Sequence, residues 1–150
     1  MEMKVNAKSC LNALEEKRGI FGVGSEVQKF IDDEVIKLME PYTPMDSGML
    51  MQSPHHGTVI GSGKIRYSEG TPYAKYLYYG VIYGPNIPIF ENGILTGFRS
   101  PPEKKSTGRP IQYSTEKHPQ AGKLWFERMK ADHKDNILKG AMAIALGRKR

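Results

Sequence analysis

Residues 81–119 constrain the fold more than any other part of this sequence. They hold six of the ten prolines and four glycines. Proline fixes φ and removes a backbone donor, and glycine loses much entropy in regular structure, so a dense mixture of the two interrupts helices and sheets. A loop of this length in a compact domain is uncommon and is usually functional or disordered. The sequence therefore predicts a long, extended loop over 81–119.

The length of the chain and its cysteine content narrow further the class of protein that this sequence can form. A chain of 150 residues, 39% of them hydrophobic, suits one domain over 1–150. The single cysteine, Cys10, excludes an internal disulfide framework and a cysteine-rich zinc site. No apolar run approaches the ~20 residues that cross a bilayer, and the first residues lack the pattern of a secretory signal. We therefore expect no membrane partner and a reducing compartment.

The charges are unevenly distributed along the chain. Residues 1–40 carry 6 basic and 8 acidic side chains, whereas residues 41–150 carry 16 basic and 8 acidic ones. The segment 98–117 alone has five basic and two acidic side chains. An acidic first part and a basic remainder favour contact with a negatively charged partner or with another copy of the chain.

Two long amphipathic helices are predicted. Ser25 to Gln28 has the form of a capping box, and apolar residues then recur three and four apart until Pro41, which predicts a helix over about 25–40. Its outward face is predicted to hold Lys29, Asp32, Asp33 and Lys37. A second helix over about 121–146 is predicted by residues spaced four apart, Trp125, Met129, His133, Ile137 and Ala141. A shorter helix over 9–18 in an N-terminal extension (1–24) and a basic tail over 147–150 complete this pattern.

Residues 43–67 have the composition typical of β-structure. Residues 58–60 and 64–67 flank Gly61-Ser62-Gly63, which predicts a hairpin. Residues 73–80 predict a short helical turn that leads into a strand. The predicted fold class is thus α+β, with the two main helices packed on a small antiparallel sheet and a long Pro/Gly-rich loop over 81–119.

No motif of an enzyme is present in the sequence. It contains neither a G-x-S-x-G elbow, nor a phosphate-binding loop, nor a dinucleotide fingerprint. Asp46 lies in Pro44-Met-Asp-Ser-Gly48, which favours a turn with a left-handed Gly48 over a catalytic carboxylate. The adjacent His55 and His56 cannot easily chelate one ion from a strand, and His118 and His133 are predicted to be structural. We predict no catalytic residue, no cofactor and no metal.

Five tyrosines lie close together in the sequence and leave two uses open. Tyrosines can stack on bases, as in proteins that bind single strands, or they can line a subunit interface, where they are enriched. The cluster consists of Tyr73, Tyr76, Tyr78, Tyr79 and Tyr83.

Three segments, in this order and spacing, resemble a family. They are Pro41-Tyr-Thr-Pro-Met-Asp-Ser-Gly-Met-Leu50, Pro72-Tyr-Ala-Lys-Tyr-Leu-Tyr-Tyr-Gly80 and His118-Pro-Gln-Ala-Gly-Lys-Leu-Trp-Phe126. The pattern is similar to that of the minor capsid or tail-completion (head-tail joining) proteins of long-tailed bacteriophages, whose members carry P-x-D/S-T/S-G-x-L and Y-A-x-x-x-x-x-G elements. The resemblance spans about residues 25–145.

The resemblance implies a structural protein of the virion. It implies a subunit of a ring, a hexamer or else a dodecamer, at the head-tail joint, with head-completion and tail-terminator or tail-tube proteins as neighbours and assembly in the host cytoplasm. It carries over no catalytic residue. The residues that it implies as architecture are Pro44, Asp46, Gly48 and Leu50 in the turn, Tyr73, Ala74 and Gly80 in the second element, and Trp125 in the last helix.

The long segment supplies the candidate contacts of such a ring. We hypothesise that its basic side chains face an acidic neighbouring subunit or the channel that holds packaged DNA; they are Arg99, Lys104, Lys105 and Arg109. The alternative function is a free, basic protein that binds nucleic acid without sequence preference.

Overall fold

The computed structural model describes residues 1–4 and 22–147. These form four α-helices: α1 (Glu26–Met39), α2 (Met49–Gly57), α3 (Ala74–Tyr79) and α4 (Trp125–Ala145). They also form six short strands: β1 (Glu2–Lys4), β2 (Lys64–Arg66), β3 (Val81–Gly84), β4 (Ile87–Glu91), β5 (Ile94–Arg99) and β6 (Lys105–Pro110). The strands pair two by two and antiparallel, β1 with β2, β3 with β6 and β4 with β5. The predicted α+β class is confirmed. The predicted helix over 9–18 and residues 148–150 of the basic tail lie outside the described residues.

Helix α1 begins where the capping pattern predicts, although the backbone N–H of Ser25 donates to the carbonyl of Gly22 over 3.0 Å rather than to the Gln28 side chain. Ser25 Oγ accepts a hydrogen bond from the backbone N–H of Gln28 over 3.2 Å. The buried stripe of α1 consists of Val27, Ile31, Val35, Ile36 and Met39. A 3-10 turn with Pro41 at its start follows at once, and proline cannot continue the α-helical hydrogen bonding. The helix therefore ends one residue before the predicted boundary.

Asp32 was predicted on the outward face of α1, and this prediction is wrong. Its side chain is fully buried. The carboxylate accepts hydrogen bonds from the backbone N–H of Gly61 over 2.8 Å and of Gly63 over 3.1 Å, and from Gln28 Nε2 over 2.8 Å. The loop after α2 covers this side of the helix, and its backbone donors satisfy the buried charge. A polar residue on the helix face is thus part of the interior.

Helix α4 packs along α1 and completes the hydrophobic core. Its buried residues are Trp125, Phe126, Met129, Ile137 and Ala141, and they join those of α1 and β2 in one apolar cluster. The predicted last helix is thereby confirmed, although it begins at Trp125 rather than at 121. Leu124 adopts a positive φ of 51°, which excludes it from the helix.

The β-structure predicted from residue 43 onward is wrong for residues 49–57, where His55 and His56 lie on a helix, and the predicted hairpin over 58–67 is wrong as well. Residues Met49–Gly57 form α2, and Val59 is 74% exposed in the turn that follows. Strand β2 pairs instead with β1, where Ile65 lies opposite Met3. The predicted alternation is nevertheless correct, since Ile65 is buried and Arg66 is exposed. The partner of β2 comes from the start of the chain, which no local pattern indicates.

The predicted loop over 81–119 contains four strands, and this corrects the sequence-based expectation. Strands β4 and β5 are joined by Asn92 and Gly93, whose φ values of 52° and 79° are those of a two-residue hairpin turn. The β3–β6 ladder encloses this hairpin in the sequence. None of residues 81–124 is buried. We call residues 81–110 the arm.

The arm begins where α3 ends. The predicted short helix that leads into a strand is confirmed by α3 and β3, with Gly80 between them. The backbone N–H of Ile111 donates to the carbonyl of Gly80 over 2.9 Å, so the two ends of the arm meet at its base.

Candidate functional site

The three segments that carry the family resemblance lie in contact in the fold. His118 Nδ1 lies 2.8 Å from the backbone oxygen of Thr43, which joins the third segment to the first. The backbone N–H of Leu124 donates to the carbonyl of Tyr78 over 2.9 Å and joins the third segment to the second. We call this unit the motif junction; it comprises residues 41–50, 72–80 and 118–126.

The first segment makes the turn into α2. Gly48 has a φ of 86° and is the N-cap of that helix, as predicted for a left-handed glycine, and Leu50 is buried behind it. Asp46 is exposed, and Lys117 Nζ donates to its backbone oxygen. The hydrogen bond that the described residues make to Asp46 therefore goes to its backbone oxygen. The predicted Asx turn would instead use the side-chain carboxylate.

The second segment fixes the base of the arm. Ala74 is buried, whereas Tyr73 is 40% exposed. Gly80 has a φ of 74°, and a Cβ atom on it would lie 2.9 Å from Tyr113 Oη and 3.0 Å from Lys123 Cβ. Both the conformation and the lack of space require glycine where α3 turns into the arm.

The third segment anchors α4 through Trp125, which is fully buried. Its indole Nε1 donates to Tyr67 Oη over 2.7 Å. The ring of Tyr78 meets the indole edge-on, with centroids 4.8 Å apart. Burial raises the pKa of Tyr78 to about 12, and the charge of Glu127 adds to this effect. The predicted anchoring role of Trp125 fits this environment.

The tyrosine cluster is divided between the core and the surface. Tyr78 is buried, and Tyr76 packs on Tyr83 with ring centroids 4.7 Å apart. Tyr79 is exposed on α3, and Tyr73 is exposed just before that helix. A platform for stacked bases needs several free ring faces in a row. The tyrosines as a group do not provide such a row.

Polar side chains also link α4 to the 3-10 turn after α1. Tyr42 Oη donates to Asp132 Oδ2 over 2.6 Å, and His133 Nε2 lies 3.2 Å from the same hydroxyl. The hydrogen bond to Asp132 raises the pKa of Tyr42, and burial acts in the same direction. These contacts, like that of His118, are those expected of structural histidines. In the part of the chain that the structure describes, no group of three or more His, Cys, Asp or Glu side chains is placed to hold a metal ion.

The four basic candidates all lie in the arm. Arg99 ends β5 opposite Ile87, and Lys105 begins β6 opposite Gly84. Arg99, Lys105 and Arg109 are exposed, and Lys104 is partly buried in the β5–β6 connection. Their charges are therefore presented away from the core.

No protein-family model, no curated protein and no solved structure matches this chain. None of the helices in residues 22–147 is long and apolar enough to cross a membrane.

A cleft of about 290 Å³ opens beside the motif junction. One wall is the turn from Pro44 to Leu50, and the other consists of Tyr73, Leu77 and residues 111–114. Asp46 is the one charged side chain among its lining residues. The cleft adjoins the base of the arm, because Ile111 both lines it and bonds to Gly80.

The most exposed apolar side chains of the arm were missed by the sequence analysis. Phe90 and Phe98 are each 61% exposed, and Ile94 is 69% exposed. The signal that predicts them is Asn92-Gly93 between two apolar runs, which is typical of a tight hairpin. The six prolines around it led to the prediction of a loop instead.

Proposed function

We propose that this protein is a structural subunit of the neck of a long-tailed bacteriophage. It forms a ring, a hexamer or a dodecamer, that completes the tail and joins it to the head, next to head-completion and tail-terminator or tail-tube proteins. It assembles in the host cytoplasm, resides in the virion and is not an enzyme. The observation that carries this proposal is the arm, an exposed β-structure that leaves a closed core.

The apolar content of the arm supports an assembly role. Its exposed large apolar residues are Ile82, Ile87, Ile89, Phe90, Ile94, Leu95 and Phe98. Contiguous exposed apolar surface on a soluble protein marks a site of interaction or of aggregation. A two-stranded ladder is also marginal by itself in water, so a partner that covers the hairpin stabilises it.

The construction of the arm's base also supports a mechanical connection. The Ile111–Gly80 hydrogen bond joins the two ends of the arm, and Tyr113 Oη donates to the carbonyl of Leu77 over 2.5 Å. The arm is thereby tied to α3, whose residue Tyr78 packs on Trp125 of the core. Such a base limits the directions in which the arm projects, which reduces the entropy lost when a neighbour binds it.

The oligomeric state of the purified chain tests this proposal. Size-exclusion chromatography with light scattering is expected to give six or twelve times the 16.9 kDa mass of one chain. Negative-stain images should show closed rings of one size. A chain that stays monomeric at every concentration contradicts the proposal.

Charge reversal tests the contribution of the arm's basic residues. Arg99, Lys104, Lys105 and Arg109 are changed together to Glu, and we expect loss of ring assembly or of DNA retention in particles. The matched control reverses four exposed lysines outside the arm, Lys75, Lys130, Lys134 and Lys139. If both variants assemble and retain DNA like the unmodified protein, neither an acidic neighbour nor DNA is the partner of these side chains.

The exposed basic arm also favours a second candidate, a free protein that binds nucleic acid without sequence preference. This function predicts a monomer or dimer whose DNA affinity falls steeply as salt rises, because counterions are released from the phosphates. Repeating the light-scattering measurement with DNA over a series of salt concentrations separates the two functions.

A further inference from the structure

One face of the β4–β5 hairpin holds only apolar residues at its paired positions, across an irregularity of the register at Thr96 of β5. Alternate residues of a strand share a face, so Pro88 and Phe90 lie together. Their cross-strand partners are Phe98 and Leu95, which complete the face. Phe90 and Phe98 are 61% exposed and Leu95 is 47% exposed. We call these four residues the hairpin face.

The opposite face of the hairpin has a different character. It holds Ile87, Ile89 and Ile94 but also Arg99 and Glu91. Charged side chains at both of its ends make it the less apolar of the two. Exposure to water therefore costs more free energy for the hairpin face than for the opposite face.

Glu91 also argues against a lipid surface as the partner. It is exposed and directly precedes the Asn92-Gly93 turn, at the tip of the hairpin. Insertion of this tip into a bilayer would bring a carboxylate into the hydrocarbon, which is costly. A protein surface that receives the hairpin face and leaves the tip in water avoids this cost.

The cleft beside the motif junction has room for the aromatic side chains of the hairpin face. A cavity of about 150 Å³ holds one benzene molecule, so the cleft's volume of about 290 Å³ suffices for one or two phenyl rings. Its rim offers Met49, which is 55% exposed, and Tyr73, which is 40% exposed. Methionine and tyrosine are both enriched at protein interfaces.

The charges of the arm and of this cleft are also complementary. The arm carries four basic and two acidic side chains, whereas Asp46 is the one charged residue that lines the cleft. Two other clefts match less well. One is lined by Lys123 and Arg128, which repel a basic arm, and the other is lined by Glu26 and Lys29, whose exposed ion pair docking would desolvate.

We propose that the hairpin face of one copy docks into the cleft of a neighbouring copy. The hairpin face is exposed, and none of its residues lines the cleft of its own chain, so the occupant comes from another molecule. Such a contact joins two different surfaces and closes into a ring when it repeats with a fixed rotation. This inference rests on the proposed ring function and names the contact that builds the ring.

Cysteine pairs test the contact between chains. Phe98→Cys and Met49→Cys are made in separate copies that carry Cys10→Ser, so each copy has a single thiol. We expect a disulfide-linked dimer of the two copies when they are mixed under mild oxidation. Two control mixtures should yield little product: Ile89→Cys with Met49→Cys, from the opposite face, and Phe98→Cys with Val59→Cys, from another exposed apolar position.

Matched serine variants test whether the contact drives assembly. Phe90→Ser with Phe98→Ser is expected to weaken assembly about 30-fold or more, as for aromatic hot spots. Ile87→Ser with Ile89→Ser, on the opposite face, is expected to assemble nearly as the unmodified protein does. Circular dichroism checks that both variants remain folded, which we expect because these side chains are exposed.

The outcomes separate this inference from the proposed function. Rings that form while the Phe98→Cys and Met49→Cys copies give no cross-link overturn the docking contact and leave the ring function standing. A chain that forms neither rings nor cross-links overturns both. Co-sedimentation of the unmodified protein with phosphatidylglycerol vesicles, lost in the Phe90→Ser, Phe98→Ser variant, would assign the hairpin face to lipid and overturn the docking contact.

Discussion

The indole Nε1 of Trp125 donates a hydrogen bond to Tyr67 Oη over a distance of 2.7 Å. Both side chains are buried. The bond joins the first residue of α4 to the residue after β2, and thus links the last helix to the small sheet. Because the interior is poor in water, either group would lack a partner without the other.

Replacement of Tyr67 by Phe is expected to destabilise the protein by about 1–3 kcal/mol, since it leaves the indole N–H buried without an acceptor. Trp125 is the only tryptophan, so its fluorescence reports unfolding in urea directly. The control is Tyr79→Phe, at a position that is 54% exposed, where little change is expected. Equal midpoints for the two variants would show that the buried bond contributes nothing.

Asp32 is expected to hold the loop after α2 in place. Asp32→Ala removes the acceptor for the backbone N–H groups of Gly61 and Gly63 and should lower the free energy of unfolding by about 2–4 kcal/mol. The matched control is the next residue, Asp33→Ala, which breaks an exposed ion pair with Lys37 and should cost less than about 1 kcal/mol. Urea denaturation compares the two, and a smaller effect at Asp32 than at Asp33 would contradict the role of the buried carboxylate.

Gly80 is expected to tolerate no side chain. Gly80→Ala adds a Cβ atom at 2.9 Å from Tyr113 Oη on a residue with a φ of 74°, so we expect a loss of about 1–3 kcal/mol. Gly97→Ala is the control, because a Cβ atom there meets no other atom within 4 Å. Thermal unfolding measures both variants. A Gly80→Ala protein as stable as the control would mean that the base of the arm adapts freely.

Tyr78 predicts a loss of stability in alkaline solution. Its pKa is raised to about 12 in the folded protein, whereas tyrosine in the unfolded chain ionises near its ordinary pKa of ~10. The contribution of the un-ionised Tyr78 hydroxyl to the free energy of unfolding is therefore complete below about pH 10 and is lost as the pH rises through about 12. Burial raises the pKa of Tyr67 in the same direction.

Urea titrations at about pH 9 and about pH 11 measure this effect. Tyr78→Phe keeps the ring but not the ionisable hydroxyl, so its free energy of unfolding should fall less with pH, by an amount on the order of 1–2 kcal/mol. Tyr73→Phe, at a position that is 40% exposed, should retain the pH dependence of the unmodified protein. A Tyr78→Phe variant with an unchanged slope would assign the alkaline instability to other groups.

Short sequence patterns correctly predicted helices α1 and α4, whose hydrogen bonds also lie within a few residues. The Ser25 cap and the apolar spacing of α1 are both realised, and so is the stripe of α4 from Trp125 to Ala141. Of the motif residues, Gly48 is left-handed as predicted, and Leu50, Ala74 and Trp125 are buried. A helix makes its hydrogen bonds within a few residues, so its signals lie close together in the sequence.

Where the sequence analysis failed, the relevant partner is distant or two local signals compete. The hairpin over 58–67 was expected because the apolar runs adjoin, yet β2 pairs with β1, more than 60 residues upstream. In the arm, the turn signal of Asn92-Gly93 competes with the prolines around it. Proline is tolerated there because a two-stranded ladder has open edges that need no donor.

The sequence by itself determined the two main helices, the α3-to-β3 junction and the basic character of the arm, because these follow from spacing, capping and charge within short stretches. Only the tertiary structure decided that Asp32 is buried, that the three motif segments meet, and that the hairpin face and the cleft are both open. These features depend on residues as far as 29 and 75 positions apart, whose proximity is set by how the whole chain packs.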